Sequence, residues 1–402
     1  MFTLNEGQSK AVEAINQLTK NHPSGGGILV INGPAGSGKS SLLKTIVGEN
    51  TGMLVLAPTG RASLRVKEVA GCNSSTIHKW IYSIEENLNT GEIEFVRNSL
   101  SDLQHPNFHS LIIDEASMLD EEIWNDVYDS AMMMGLNLVL IGDEFQLPPV
   151  DNASNFSVFS NSFKCVRINL TEVMRQALDS PILRAANALR TGNYLMELSA
   201  LPIVMKSEAF VACTETWKQQ GVTICHKNET RHLINETVRK DCGRILSVEE
   251  GESLMVIKNN YKLNVFNGET FTVNEILNRL GGKIVKDKFK GSSAYVEFLR
   301  VNLGTTEAVI AVQQLTGQCS NIGTKALELA SAQMINKNGL SKTPFLSCNF
   351  GYASTAHKYQ GSEIANGIVF IEQMVRPTTL SGRRWLYVAL TRFKKSVKIC
   401  WY

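Results

Sequence analysis

The sequence predicts an α/β fold with parallel sheets, arranged as two units, over its 402 residues. Three observations point that way. First, short apolar runs (GILVI, MLVLA, SLIID, LNLVLIG, CVRINL) alternate with polar or helical stretches in the first half. Runs of this length separated by helix-length intervals are the pattern of strands buried on both faces of a parallel sheet. Second, GVTICHK, a helix from about Glu229 to Lys240, GIVFIEQ and SVKICWY repeat the pattern in the second half. Third, the chemically distinctive segments GPAGSGK, PTGRAS, EAS and DEFQLPPV directly follow the runs. Open parallel sheets bind ligands beyond the carboxyl ends of their strands, so the placement is consistent.

Composition sets bounds. With 43% hydrophobic and 19% charged residues, the chain is of ordinary globular type and long enough for two or three domains. The net charge is +2, from 40 basic and 38 acidic residues, which leaves room only for a local basic groove. Its 8 cysteines include no C-x-x-C pair, which argues against a zinc site or disulfide framework and for free thiols in a reducing cytosol. No apolar run approaches the roughly 20 residues of a membrane span. A cytoplasmic protein is expected, with no membrane partner.

Along the chain, the first strand (Ile28 to Ile31) runs into GPAGSGKS and then a helix-like stretch from Ser41 to Val47. This is the phosphate-binding loop pattern in its required strand–loop–helix context. The loop residues Gly33, Pro34, Ala35, Gly36, Ser37, Gly38 and Ser41 surround the phosphates, with backbone N–H groups from all of them but Pro34, while Lys39 adds a point charge and Ser40 a hydroxyl for Mg²⁺. A nucleoside triphosphate is therefore the expected ligand. Residues 81–100 interrupt the alternation with an Asn-Thr-Gly turn signal between charged flanks, and predict an inserted β-hairpin. Pro181 to Arg190 opens as a helix. From Glu269 to Val312, short alternating segments with Gly-Gly and Gly-Ser turns predict a small antiparallel insertion, and Lys325 to Met334 is helical. The expected domains are 1–80 with 101–180, the hairpin 81–100, 181–268 with 346–402, and the insertion 269–345.

Asp114 and Glu115 end the run SLII. Paired carboxylates at a strand tip beside a phosphate loop fit an element in which Asp114 holds Mg²⁺ and Glu115 orients and deprotonates the attacking water. Near the carboxyl end, Arg392 lies on an expected helix, RRWLYVALTRF. A guanidinium brought to the γ-phosphate from a second domain would stabilise the transition state and couple hydrolysis to closure.

The order of the motifs resembles the superfamily 1 helicases, in the branch containing RecD and the phage helicase Dda. LNEGQ is similar to the adenine-reading glutamine motif, GPAGSGKS to motif I, APTGRAS to motif Ia and STIHKW to motif Ib. IIDEAS resembles motif II, IGDEFQLPPV motif III, LTEVMRQ motif IV, STAHKYQGSE motif V and LYVALTR motif VI. The resemblance implies two RecA-like domains, with the hairpin as a duplex wedge and an SH3-like insertion in the second. It implies ATP and Mg²⁺ as cofactors, and an ATP-dependent DNA helicase moving 5′ to 3′ on single-stranded DNA. The polarity comes from the resemblance alone.

The same resemblance gives roles to individual residues. Gln8 would read adenine, Gln146 would sense the γ-phosphate, and Arg175 and Arg392 would reach it from two sides. Gly361 and Glu363 fall in motif V, where Glu363 would contact the ribose or hold the motif in place. Pro58, Thr59, Thr76, His78, Thr355 and His357 would line the strand-binding groove, unless their side chains serve as local caps or core hydrogen bonds. Phe95 would stack on a base at the junction or pack the hairpin down. Expected partners are single-stranded DNA and duplex junctions, with replication or single-strand-binding proteins, and the chain is expected to act as a monomer. An ATP-gated remodeller of protein–DNA complexes, or an RNA helicase, would carry the same motifs.

Overall fold

The computed structural model describes residues 4–49, 52–87, 92–103, 108–149, 156–160, 163–172, 179–260, 262–263, 265–287, 290–340 and 343–402. The chain divides into two compact units, residues 1–200 with 376–391, and residues 201–375 with 392–402.

The first unit is built on a six-stranded sheet. Its strands are β1 (Ile28–Asn32), β2 (Met53–Ala57), β3 (Ser74–Thr76), β6 (Ser110–Ile113), β7 (Asn137–Gly142) and β8 (Val166–Asn169), in the order β3-β2-β6-β7-β1-β8. Every pairing is parallel. The four residues of β6 and the six of β7 are all buried, as continuous apolar runs require. β8 departs from that expectation: it is the edge strand, and three of its four residues are exposed. The helix Glu6–Asn21 buries Gln8, Ala11, Ile15 and Leu18, one face at helical spacing, and starts at an Asn5–Gln8 capping box.

Between β3 and β6, β4 (Tyr82–Asn87) pairs antiparallel with β5 (Glu92–Arg97), as the sequence predicts for residues 81–100. The turn itself, 88–91, lies outside the described residues. The base of the hairpin is tied to the helix Glu121–Met133. The Tyr82 hydroxyl donates to Asp126, and Arg97 pairs with Asp126 at 3.1 Å and donates to Ser130 Oγ at 3.1 Å.

The second unit carries a five-stranded parallel sheet of β9 (Ile203–Val204), β10 (Val222–Cys225), β17 (Ala353–Thr355), β18 (Ile364–Ile371) and β19 (Phe393–Trp401), in the order β17-β10-β18-β19-β9. Two small antiparallel sheets accompany it. β13 (Glu275–Asp287), β14 (Ser292–Asn302) and β15 (Glu307–Ala311) form a meander, and the helix Thr324–Lys337 packs on it through Leu327, Ala330 and Met334. β11 (Ser253–Val256) pairs with β12 (Thr270–Thr272) and β16 (Cys348–Phe350).

Several expectations need correction. Gly281-Gly282 is no turn: both residues lie inside β13, beside a register shift, with Gly281 at φ 90°. A glycine at positive φ serves a bulge as readily as a turn, so the dipeptide did not distinguish them. The sheet β12-β11-β16 crosses both limits of the expected 269–345 insertion, because its middle strand precedes residue 269 and one partner follows 345. Residues 181–200 and 376–391, expected with the second half, pack in the first unit. Arg392 is not helical: the helix ends at Leu390 and β19 starts at Phe393.

Candidate nucleotide and strand-binding site

The phosphate loop leaves β1, a central strand, and enters the helix Lys39–Glu49. Gly36 and Gly38 stand at φ 82° and 80°, a left-handed backbone that a side chain would strain. Lys39 Nζ donates to the carbonyls of Gly33 at 2.6 Å and Pro34 at 3.0 Å, so it lies over the loop's own backbone. Ser37 is fully buried, and Ser40 and Ser41 are half-buried in the first turn of the helix.

Gln8 is buried, and its amide is committed locally. Nε2 donates to the carbonyls of Ser37 at 3.2 Å and Gly38 at 3.3 Å, while Oε1 accepts from Asn5 N–H at 3.0 Å. It therefore braces the phosphate loop against the first helix.

Past β6, Glu115 adopts φ 53° and ψ 39°. A non-glycine residue in this left-handed region costs on the order of 1–3 kcal/mol and persists where the surroundings over-determine it. The turn aims its buried carboxylate at Gln146, whose Nε2 donates to Oε2 at 3.0 Å. Arg65, from the helix Gly60–Ala70, approaches the other oxygen at 3.8 Å and donates to Ser40 Oγ at 3.3 Å. Ser40, Leu43, Arg65, Val66 and Asp114 line one small cleft. Burial, then the neighbouring Glu115 carboxylate, raises the Asp114 carboxyl above its ordinary range, and Arg65 and Lys39 pull it back. A hydroxyl and a carboxylate held in a desolvated cleft are hard oxygen donors that suit Mg²⁺, which takes few protein ligands and completes its shell with phosphate and water. No cluster of three or more His, Cys, Asp or Glu metal ligands occurs among the described residues.

Sequence reading missed Arg65, and it missed a second group around Asp143. Asp143 is 1% exposed and accepts from Arg190 Nη1 at 2.5 Å, from Phe145 N–H at 3.1 Å and from the Tyr387 hydroxyl. Tyr387 in turn accepts from Ala35 N–H at 2.6 Å. The acidic dipeptide after an apolar strand was the available signal for Asp143, but nothing local marks Arg190 or Tyr387.

The strand-groove candidates fall into two sets. Thr59 and Thr76 are helix N-caps, with Oγ1 accepting from Ala62 N–H and Lys79 N–H, each at 3.2 Å. The capping alternative holds for both, and such caps are worth about 1 kcal/mol. Pro58 and His78 are half-buried beside them, and burial lowers the His78 pKa. In the second unit, Thr355 ends β17 and His357 follows on the short helical turn Ala356–Tyr359. Burial, then His226 and Lys358, lowers the His357 pKa. Lys358 is also lowered, by burial and Arg231, and donates to Ile257 O at 3.2 Å and Asn267 Oδ1 at 3.3 Å. Gly361 stands at φ 73°, and Glu363 pairs with Lys394. Arg392 is buried and donates from Nη1 to the carbonyls of Tyr359 and Ser362, each at 3.4 Å, so it is tied to motif V. Arg175 lies outside the described residues; Phe95 sits opposite Ile84 in the hairpin ladder, and its side chain is likewise outside them.

Comparison with known proteins agrees with this geometry. Residues 3–216 match the family described as AAA domain. The chain belongs to that AAA-domain family. Residues 350–400 of this AAA-domain protein match the UvrD-like helicase C-terminal domain, and the resemblance to superfamily 1 helicases is borne out. It is 26% identical over 390 residues to the ATP-dependent RecD2 DNA helicase of Deinococcus radiodurans, covering 91% of this chain and 46% of that protein. It is 30% identical over 199 residues to the ATP-dependent DNA helicase dda of Enterobacteria phage T4, covering 48% and 43%. The human ATP-dependent DNA helicase PIF1 is 26% identical over 359 residues, covering 77% and 52%. The chain spans about half the length of these curated relatives. Among solved structures, Pif1 helicase from Bacteroides in complex with ADP-AlF3 and single-stranded DNA superposes with a TM-score of 0.57 at 18% identity, over 99% of this chain and 92% of that one. Pif1 helicase from Candida albicans superposes with a TM-score of 0.54 at 17% identity, over 100% and 94%. The fold is thus α/β with two RecA-like parallel sheets.

Proposed function

We propose that this chain is an ATP-dependent DNA helicase that moves 5′ to 3′ on single-stranded DNA and opens duplex with its hairpin. One observation carries the reading: residues from four separate segments, Lys39 and Ser40, Arg65, Asp114 with Glu115, and Gln146, gather beyond the ends of neighbouring parallel strands. In this reading Lys39 and the loop amides bind the phosphates of ATP, and Ser40 and Asp114 hold Mg²⁺, which supplies charge neutralisation of the phosphates. Glu115 takes a proton from the attacking water, and Gln146 keeps its carboxylate in place. Arg175 and Arg392 are the further residues proposed to contact the γ-phosphate.

In the first unit Pro58 and His78, set in place by the Thr59 and Thr76 caps, and in the second unit Thr355 and His357 contact DNA phosphate and sugar. The relatives named above as DNA helicases support DNA as the substrate. Single-stranded DNA and duplex junctions are the proposed partners, with replication or single-strand-binding proteins, and a monomer is the proposed active form. No described helix is long and apolar enough to cross a membrane. The eight cysteines are free thiols, five of them buried, as suits a protein of the reducing cytoplasm.

The test is ATP turnover with DNA and RNA homopolymers of equal length. Turnover rises with single-stranded DNA and stays near its basal value with RNA. Equal stimulation by both would overturn the DNA assignment, and no turnover in either would overturn the ATPase.

A further inference from the structure

The Tyr387 hydroxyl is the point where three distant segments meet. Tyr387 lies in the helix Leu380–Leu390 and is completely buried. Its oxygen accepts from the Ala35 N–H of the phosphate loop at 2.6 Å and donates to Asp143. The ring that carries that oxygen is held by two further contacts. Phe145 meets the ring edge-on, with centroids 5.3 Å apart at 89°, and the Arg190 guanidinium lies 5.6 Å from the Tyr387 ring centroid. Arg190 also pairs with Asp143 at 2.5 Å, so the carboxylate that accepts the Tyr387 hydrogen bond is itself held in place.

The direction of these bonds has a consequence. A phenol has one proton, and here it points to a carboxylate, so only lone pairs face Ala35. Burial, then Asp143, raises the Tyr387 pKa well above its ordinary value, so the proton stays in place throughout the physiological range. The Ala35 peptide is thereby held with its N–H turned to Tyr387, immediately before Gly36, where the loop takes its left-handed turn. The orientation of that peptide sets where the following amides point, and those amides are what a phosphate loop offers its ligand.

We propose that Tyr387 is a positioning residue for the nucleotide: its hydroxyl fixes the Ala35 peptide, and through Asp143 it registers the phosphate loop against the segment that carries Gln146. The inference rests on the ATP reading above. It separates Tyr387 from the neighbouring Arg392, because the hydroxyl acts on binding through the loop.

Tyr387→Phe removes only the oxygen. Three quantities test it: the affinity for a fluorescent ADP analogue without DNA, KM and kcat for ATP with saturating single-stranded DNA, and thermal melting without nucleotide. Losing a buried hydrogen bond that shapes the loop weakens analogue binding and raises KM about tenfold, with kcat changed by less than about threefold. Analogue affinity and KM within about twofold of wild type would overturn the proposal, whatever the melting temperature. So would a fall in kcat at unchanged KM, which would make the helix a holder of Arg392 only. If Tyr387→Phe does not melt as a single transition, Asp143→Asn carries the test. It keeps side-chain volume but breaks the carboxylate that orders the hydroxyl, and the same rise in KM is expected and the same null result is fatal. Wild-type protein that binds no analogue would overturn the ATP reading instead.

Discussion

Glu115→Gln lowers kcat for ATP about 10²–10⁴-fold, the range that a positioned general base supplies, and leaves KM within a few-fold. The substitution keeps the shape of the side chain and an oxygen for Gln146, whose Nε2 lies 3.0 Å from the Glu115 carboxylate. What it removes is the charge and the capacity to take a proton. The strained φ of 53° at Glu115 places that carboxylate regardless of side-chain chemistry, so binding survives while turnover fails. Single-turnover hydrolysis and nucleotide affinity, measured on the same protein, separate the two effects. A loss in kcat smaller than tenfold would show that another group activates the water.

Excising the hairpin abolishes strand separation and leaves DNA-stimulated ATP turnover largely intact. The cut has to respect the base of the hairpin. Tyr82 and Arg97 are bonded to Asp126, and Asn98 donates to the carbonyls of Ile81 at 2.7 Å and Trp80 at 2.9 Å. Replacing residues 86–93 by a Gly-Gly link keeps these anchors and removes the projecting ladder from Glu86↔Ile93 outward. Opening a base-pair step costs on the order of 1.4 kcal/mol, so the wedge role asks the hairpin only to direct an energetically modest step. Fork unwinding and ATPase assays on the same preparation decide the matter. Unwinding that survives the excision would remove the wedge role from residues 81–100, and loss of both activities would show that the hairpin is part of the engine.

Much of the fold could be read from local signals. The continuous apolar runs gave β1, β2, β6 and β7 in place, because burial on both faces of a parallel sheet leaves no polar alternation. Pro181 at a first-turn position gave a helix to Arg190, and the structure shows Pro181–Thr191 with Ser180 as its cap. The hairpin followed from its turn signal. Boundaries failed where pairing is non-local: β11 and β16 share a sheet although about 90 residues separate them, and no composition change marks that.

The site divides in the same way. Lys39, Ser40, Asp114 and Glu115 belong to strings whose spacing follows from phosphate and metal chemistry, Gln146 came from the family resemblance, and the structure groups them. Thr59 and Thr76 were legible as motif members with capping left open as the alternative, because a cap depends on the exact residue at which the helix starts. Tyr387 was invisible as a loop contact, since 352 positions separate it from Ala35 and 244 from Asp143. Only the fold brings an aromatic hydroxyl from one end of the chain to a peptide near the other.

The proposed activity is directional opening of DNA driven by ATP hydrolysis at this site. Its most direct measurement is strand release from partial duplexes that carry either a 5′ or a 3′ single-stranded tail, with Lys39→Ala run in parallel. Release from the 5′-tailed substrate alone, lost in Lys39→Ala, is the predicted result. Release from the 3′-tailed substrate alone, or release that persists in Lys39→Ala, would contradict it.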